Sequence, residues 1–399
     1  MRLGGPVLVF LAELLVLPAG LVSVILLSRH LGLAEYGVYG LAVAIVFWLE
    51  WMVASLFSGV GLQMMAREPE SEPVANYILQ ASTAAGILAM AGLALTAMVL
   101  ATEPLRSALW VAGLMLPFAA AAQAHRSRLV VLEKHTGRAC GVAAKMVVRG
   151  LGPVVVVTCG WGGVAALGVL GVASLAEVTI CRLFTRPRWW GSRGEVRLPL
   201  RMTALFAVNS SAQRLVERVD LLLLRGLGVA MGDVGLYVAA QNLAMVPAIL
   251  GGALAAPVQA RVLAAKGGAE KMAQARWAIG LSLATLPAGL IAAVAGERMV
   301  ALAYGPKFAG SAALLAPLLM AGSFHATQML TSATLHGMGL IRWTSRASVA
   351  QLVGTMLVMV VVVPRYGMAG AAWTWCGSAG AAAVVAVVLL NRARYTEGV

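Results

Sequence analysis

Charged residues are scarce in this 399-residue sequence, in which Asp, Glu, Lys and Arg together make up 12%. A typical soluble domain carries about 25%. Hydrophobic residues make up 60% of the chain, and its mean hydropathy is +0.87. Because so few polar side chains cannot cover a surface exposed to water, we expect the outer surface to face lipid. The composition excludes an ordinary soluble domain and predicts a helical, polytopic membrane protein.

Cysteines, nucleotide-binding motifs and long loops are also scarce. No CxxC or metal-ligand spacing occurs, and there is no Walker A sequence. No gap between apolar runs is long enough to fold as a separate soluble domain. We therefore predict no cofactor, no metal site and no catalytic residue. The four cysteines lie within or at the ends of apolar runs and are expected to be small buried hydrophobes: Cys140, Cys159, Cys181 and Cys376.

Apolar runs long enough to cross a membrane follow one another along the whole chain. A hydrocarbon core about 30 Å thick is crossed by about 20 helical residues. Glu13 interrupts the first run and no small-residue cleavage site follows it, so we expect an uncleaved first helix. We predict an all-α fold of about twelve transmembrane helices, at 6–28, 37–60, 76–101, 108–130, 142–160, 164–184, 203–225, 234–258, 277–296, 310–334, 345–363 and 368–391.

The net charge of +14 does not indicate a nucleic-acid partner, because the basic residues lie between the apolar runs, singly or in small clusters. That distribution is typical of the positive-inside rule. With both termini in the cytoplasm and twelve crossings, 20 of the 30 Lys and Arg residues lie inside and 6 outside. We therefore predict a bacterial inner-membrane protein with cytoplasmic N- and C-termini.

An internal repeat relates the two halves of the chain at an offset of about 196 to 198 residues. Arg29-His30-Leu31-Gly32 precedes Gly37-Val38-Tyr39, and Arg225-Gly226-Leu227-Gly228 precedes Gly235-Leu236-Tyr237. Because each half has an even number of helices, the two repeats enter the membrane from the same side and are parallel. We predict an N-terminal six-helix lobe at 1–184, a basic cytoplasmic linker at 185–202 and a C-terminal six-helix lobe at 203–399.

Three motifs carry a resemblance to a known family: LSRHLGLAEYGVYGLA at 27–42, RVDLLLL at 218–224 with VGLYVAA at 234–240, and VPRYGMAGAA at 363–372. In this order they resemble the bacterial polysaccharide flippases, the O-antigen or Wzx-like branch of the exporter superfamily that also holds lipid II flippases and MATE drug exporters. The resemblance implies a two-lobe fold and the movement of a lipid-linked oligosaccharide to the periplasmic face. It also implies membrane lipids, a polysaccharide polymerase and assembly proteins as candidate partners, in pathways such as lipopolysaccharide synthesis.

Ionisable residues at membrane depth are the candidate site residues, because they are costly there and normally face a cavity. Arginine is suited to a diphosphate, since its planar fork stays charged and matches phosphate oxygens. Arg214 and Arg218 lie four residues apart in the predicted seventh helix, so one face would carry both. The alternative is a structural ion-pair network. The substrate-binding candidates are Arg214, Arg218, Asp220, Glu217, Arg149, Glu13 and Glu50.

Three neighbouring polar residues have simpler expected roles. Lys145 is expected to extend its ammonium towards the cytoplasmic interface. His325 is expected to be a satisfied core histidine. Gln241 could meet sugar hydroxyls or bond between helices.

Three functions fit a chain of this kind. The first is a flippase for a polyprenyl-diphosphate-linked oligosaccharide, working by alternating access. The second is a MATE-type drug or cation antiporter, for which Glu13 and Glu50 would supply the acidic site. The third is a membrane glycosyltransferase or O-antigen ligase. The longest predicted outside loop, 297–309, offers no carboxylate pair and no nucleophile constellation, which disfavours an enzyme.

Overall fold

The computed structural model describes Leu8, Ala12 and residues 15–67, 71–185, 211–265, 268–338 and 340–396. Within these residues the chain forms helices joined by short turns, and no strand occurs. Contacts divide the chain into two compact units, Met1–Arg214 and Leu215–Val399. The predicted lobe boundaries at 184 and 203 stay a prediction, because almost all of the linker lies outside the described residues.

Seven helices of unit 1 lie between residues 16 and 185 in the described part of the chain. The helices α4 and α5 follow each other directly and together form one apolar span of 27 residues. The bounds are α1 Val16–His30, α2 Leu33–Arg67, α3 Glu72–Leu100, α4 Leu105–Gly113, α5 Met115–Val131, α6 His135–Thr158 and α7 Gly163–Thr185.

Unit 2 also contains seven helices in its described residues, together with a 3-10 turn at Pro306–Ser311. The second and third of them bend by 45° at Met245. The bounds are α8 Val219–Gly226, α9 Met231–Ala244, α10 Val246–Ala264, α11 Gly268–Leu283, α12 Pro287–Tyr304, α13 Ala312–Gly337 and α14 Ile341–Thr396. Pro247, the second residue of α10, lacks the N–H that would continue the preceding helix, which accounts for the break.

The protein is a multi-pass membrane protein. Among the described residues, seven helices are long and apolar enough to cross a membrane, or eight if the bent pair is one span. Each of the twelve predicted segments overlaps a helix, but the count of twelve crossings stays a prediction. Part of the difference between the number of apolar helices and the twelve predicted crossings lies in α14. This helix has 56 residues and contains a kink at Gly367, with φ 54° and ψ −136°. Its two halves correspond to the predicted segments 345–363 and 368–391.

The outer surface carries large apolar side chains, as a lipid-facing surface requires. In α3, Leu88, Val99 and Leu100 are among the most exposed residues, and Cys140 and Cys159 are exposed as well. The prediction that all four cysteines are buried is therefore wrong for these two. An apolar run does not bury every residue when its surroundings are hydrocarbon.

Small residues allow helices to cross closely inside each unit. A Cβ on Gly86 of α3 would lie 2.8 Å from the Leu116 carbonyl oxygen of α5. In unit 2, a Cβ on Gly251 of α10 would lie 2.8 Å from the Ala326 Cβ of α13. Lipid offers no hydrophobic drive for helix association, so packing of this kind is a main source of stability.

The first sequence motif, at 27–42, contacts the start of α7 at one end of unit 1. The Gly163 N–H at the start of α7 donates to Glu35 Oε1 at 2.6 Å, and a ring nitrogen of His30 lies 3.0 Å from the Trp161 carbonyl oxygen. A carboxylate at a helix N-terminus satisfies a backbone donor and complements the helix dipole. The Glu35 region of the first motif therefore fixes where α7 begins.

Candidate functional site

One face of α2 carries Phe47, Glu50 and Trp51, which lie three and four residues apart and therefore point the same way. Each of the three contacts a cation. The Arg149 guanidinium lies over the Phe47 ring, 5.0 Å from its centroid. Lys145 Nζ lies 3.4 Å from Glu50 Oε1. Unit 1 thus gathers a lysine and two arginines along one helix face, the third cation being Arg214.

Arg214 lies over the Trp51 ring, 4.1 Å from its centroid. Trp51 is half-exposed, whereas Arg149 and Arg214 are partly buried. A cation over an aromatic face gains about 2 kcal/mol when it is desolvated. Stacking holds a guanidinium in place by its flat face and leaves the edge, which carries the N–H donors, directed elsewhere. That arrangement favours recognition of an anion.

A chain of ion pairs that includes Lys145 connects four helices of unit 1. Lys145 Nζ lies between Glu50 of α2, at 3.4 Å, and Glu177 Oε2 of α7, at 3.1 Å. Arg126 of α5 lies 3.1 Å from Glu177 Oε1. The Glu177 side chain is fully buried, while those of Lys145 and Glu50 are 13% and 16% exposed.

The expectation that Lys145 extends towards the cytoplasmic interface is wrong. Two carboxylates from neighbouring helices reach its ammonium, and the lysine side chain is only 13% exposed. The ion-pair chain contains two acidic and two basic side chains, so its charges balance. Arg149 stands outside this chain, and within the described residues no side-chain or backbone oxygen accepts a hydrogen bond from its guanidinium.

The predicted seventh helix is broken in the middle. Residues 211–216 are helical, Glu217 and Arg218 form a turn, and α8 starts at Val219. Arg218 has φ −134° and ψ −4°, outside the helical region. The expectation that Arg214 and Arg218 share one continuous helix face is therefore wrong. The break takes Glu217 and Arg218 out of a regular helix, whereas Arg214 and Asp220 remain helical.

Unit 2 contains a buried polar network around Asp220, which is fully buried. Its carboxylate accepts hydrogen bonds from the Tyr237 hydroxyl at 2.7 Å, from Gln241 Nε2 at 2.8 Å and from the Leu221 N–H at 2.8 Å. Arg218 donates to Gln241 Oε1 at 3.1 Å. Gln241 therefore bonds between helices, which was one of its two predicted roles.

Glu217 joins the broken segment to α13. Its Oε1 lies 3.0 Å from His325 Nε2, and its carbonyl oxygen accepts from Gln241 Nε2 at 3.3 Å. His325 thus has a buried partner, as the sequence predicts for a satisfied core histidine. The backbone carbonyl released by the helix break is satisfied by a side chain, as burial in a membrane demands.

The candidates fall into two separate groups. Glu50, Arg149 and Arg214 lie in unit 1, and Glu217, Arg218 and Asp220 lie in unit 2. Glu13 lies outside the described residues. Arg126, which was not among the candidates from the sequence, completes the ion-pair chain. The four-residue spacing of Lys145 and Arg149 could have indicated a shared helix face. In the part of the chain that the structure describes, no three His, Cys, Asp or Glu side chains gather as a metal site.

Solved structures of transporters share this fold over nearly the whole chain. An inward-facing multidrug resistance MATE family transporter of the MOP superfamily is 14% identical, with a TM-score of 0.73 over 97% of this chain and 98% of that one. The lipid II flippase MurJ in an inward closed conformation is 11% identical, with a TM-score of 0.74 over 97% of this chain and 87% of that one. A MOP superfamily transporter from Pyrococcus furiosus is 13% identical, with a TM-score of 0.67 over 98% and 95%.

These likenesses confirm the MATE- and MurJ-like helical fold. A search of the curated proteins finds no match. The family described as polysaccharide biosynthesis protein matches residues 5–260, well over half of the chain. On that match, the chain belongs to the polysaccharide biosynthesis protein family.

Proposed function

We propose that this protein is a flippase that moves a polyprenyl-diphosphate-linked oligosaccharide from the cytoplasmic to the periplasmic face of a bacterial inner membrane. The cargo is a precursor of a surface polysaccharide such as O-antigen, and both termini of the chain are cytoplasmic. Family membership and the shared fold support export of a lipid-linked glycan. A polysaccharide polymerase and assembly proteins are the expected partners.

The observation that carries this proposal is the position of Arg149. Its guanidinium is stacked on Phe47, partly buried and at membrane depth, with no hydrogen-bond acceptor among the described residues. A cation is costly at this depth unless a partner compensates it. A diphosphate supplies such a partner, because its oxygens accept paired N–H bonds from a guanidinium. Arg214 is a second arginine on this face of α2, where it is stacked on Trp51.

The other candidate residues hold the site in this proposal. Glu50 fixes Lys145, which keeps that lysine away from the phosphate and sets the charge balance. Glu217, Arg218 and Asp220 stabilise the break in unit 2 through Gln241, Tyr237 and His325. Glu13 remains a cavity-lining candidate from the sequence alone.

A drug or cation antiporter is disfavoured by the charges of unit 1. A site for an organic cation needs a carboxylate that can accept it. Glu50 and Glu177 both pair with Lys145, and Glu177 also pairs with Arg126. The cations of α6 next to this face would repel a positively charged drug.

The test is genetic, with a biochemical readout. Deleting the gene should leave undecaprenyl-linked oligosaccharide on the cytoplasmic leaflet and abolish the surface polysaccharide. Complementation with Arg149→Ala should restore export to less than about a tenth, since one charge-assisted contact is worth about 1.5–3 kcal/mol. Arg149→Lys should retain more, because it keeps the charge but not the planar fork.

The matched control is Arg298→Ala, which removes an exposed arginine of α12 in unit 2 and should complement fully. Full export by a well-expressed Arg149→Ala variant would remove the phosphate role. Unchanged surface glycan in the deletion strain, with raised sensitivity to cationic drugs, would favour the antiporter instead.

A further inference from the structure

The two halves of α14 enclose a groove within unit 2. They turn back on each other at Gly367, and the hydroxyls of Thr355 and Ser378 form a hydrogen bond between them. The space between the halves measures about 680 Å³ and is lined by fifteen residues, of which none is charged.

The groove exists because small residues face each other across the two halves. Ala350 and Gly354 line one side, and Gly377 and Ala381 line the other. A Cβ on Gly354 or on Gly377 would meet nothing within 4 Å. The space therefore comes from missing side chains and can be filled by substitution without moving the backbone.

The length of the groove selects among hydrocarbon ligands. Its lining runs from Ala347 to Val362 on the first half and from Gly370 to Val385 on the second. At 1.5 Å per helical residue this distance is about 22 Å. One leaflet of a hydrocarbon core about 30 Å thick accounts for only half that thickness. A phospholipid acyl chain stays within its leaflet and would cover only part of this length, whereas a single longer chain would fill all of it.

We propose that this groove binds the polyprenyl chain of the lipid-linked substrate. The inference rests on the proposed function and adds a binding site for the lipid tail. An uncharged, mainly apolar lining is complementary to an uncharged isoprenoid. Trp373 and Val358 line the groove and are both exposed, so they would lie against the bound chain.

The experiment uses the full chain in nanodiscs of phosphatidylethanolamine and phosphatidylglycerol. The probe is a long polyprenol with a photoreactive diazirine in its chain and no phosphate. Mass spectrometry should place the label on peptides covering 347–385. The double variant Gly354→Leu with Gly377→Leu fills the groove and should reduce that labelling at least fivefold. Gly280→Leu is the matched control, because a Cβ there also meets nothing within 4 Å, and its labelling should equal that of the unaltered protein.

Competition on the unaltered protein keeps the test independent of the folding of the variants. Excess unlabelled polyprenol should displace the probe, whereas the same excess of phospholipid should not. Equal displacement by phospholipid would assign the groove to ordinary bilayer lipid and overturn the proposal. Undiminished labelling in a well-folded filled variant would overturn it as well.

Failure of the tail site and failure of the flippase function give different results. Because the probe lacks phosphate, Arg149→Ala should not change its labelling. If the flippase function is wrong, the deletion strain keeps its surface glycan, while groove labelling stands or falls by its own result. If only the proposed tail-binding site is wrong, the double variant Gly354→Leu with Gly377→Leu is labelled as strongly as the unaltered protein, while export still depends on Arg149.

Discussion

Lys145 is the residue on which the charge balance of unit 1 depends. Its ammonium lies within 3.4 Å of two carboxylates on two different helices. Removing one member of a buried ion pair leaves an uncompensated charge and costs about 3–5 kcal/mol. Lys145 therefore contributes mainly to the stability of the protein. We expect its substitution to reduce transport through that loss of stability.

Lys145→Met should lower the thermal unfolding midpoint in detergent by several degrees and reduce protein abundance. Methionine keeps much of the side-chain volume, so the loss reports charge rather than packing. Adding Glu50→Gln should recover part of the loss, because Glu177 keeps Arg126 as its partner. Arg298→Ala is the control with no expected shift. A midpoint unchanged by Lys145→Met would mean that the ion-pair chain contributes nothing to stability.

Two arginines illustrate which features of the charged residues could be predicted from the sequence and which could not. Composition places charged residues at membrane depth and marks them as candidates. Which partner each one finds depends on helix rotation and crossing, which a single sequence does not contain. Arg149 lies over Phe47 and Arg218 bonds to Gln241, although the two arginines look alike in the sequence.

At the scale of elements, α3 contains a direct test of close helix packing. Gly86 and Gly92 lie in the same helix, but only Gly86 faces α5, where a Cβ would lie 2.8 Å from backbone atoms. A Cβ on Gly92 would meet nothing within 4 Å. Alanine favours a helix over glycine by about 1 kcal/mol at either position.

Gly86→Ala should therefore destabilise the protein, and Gly92→Ala should leave it equally stable or slightly more stable. Opposite signs are expected because the same substitution meets backbone at one position and open space at the other. Thermal unfolding in detergent measures both. Equal shifts for the two variants would contradict the close crossing of α3 and α5.

The elements themselves could be predicted well, and their interruptions less well. Each predicted segment overlaps a helix, because an apolar run of membrane-crossing length has few other solutions. The break at Glu217 and Arg218 was not predicted. Leucine-rich neighbours favour a continuous helix there. Gln241 and Tyr237, which bond to Asp220 beside the turn, come from a different helix.

At the scale of the whole molecule, the charge bias predicts a cytoplasmic position for the region around residue 192 and for Gly268. In a cysteine-free background, Ser192→Cys and Gly268→Cys should resist a membrane-impermeant thiol reagent in intact cells. Lys307→Cys should react, since its loop is predicted to lie outside and its side chain is exposed. The contrast follows from the positive-inside rule.

Opening the cells should make the two protected positions reactive, which controls for access to the thiol. Labelling of Gly268→Cys in intact cells would mean that the segments after the break at Glu217 have the inverse orientation. The twelve-crossing topology would then fail, although the helical fold would not.

The pairing of Lys145 with Glu177 also bears on how the chain enters the membrane during synthesis. Alone, α6 carries Lys145 and α7 carries Glu177 into the hydrocarbon, and a charge at the centre of an inserting helix costs about 2.5–3.5 kcal/mol. The two helices are consecutive and joined by a turn of only four residues, 159–162. They can therefore leave the translocon together as a hairpin whose charges already neutralise each other at 3.1 Å. The ion pair that neutralises these charges in the folded protein would thus already be needed for the insertion of α6 and α7 into the membrane.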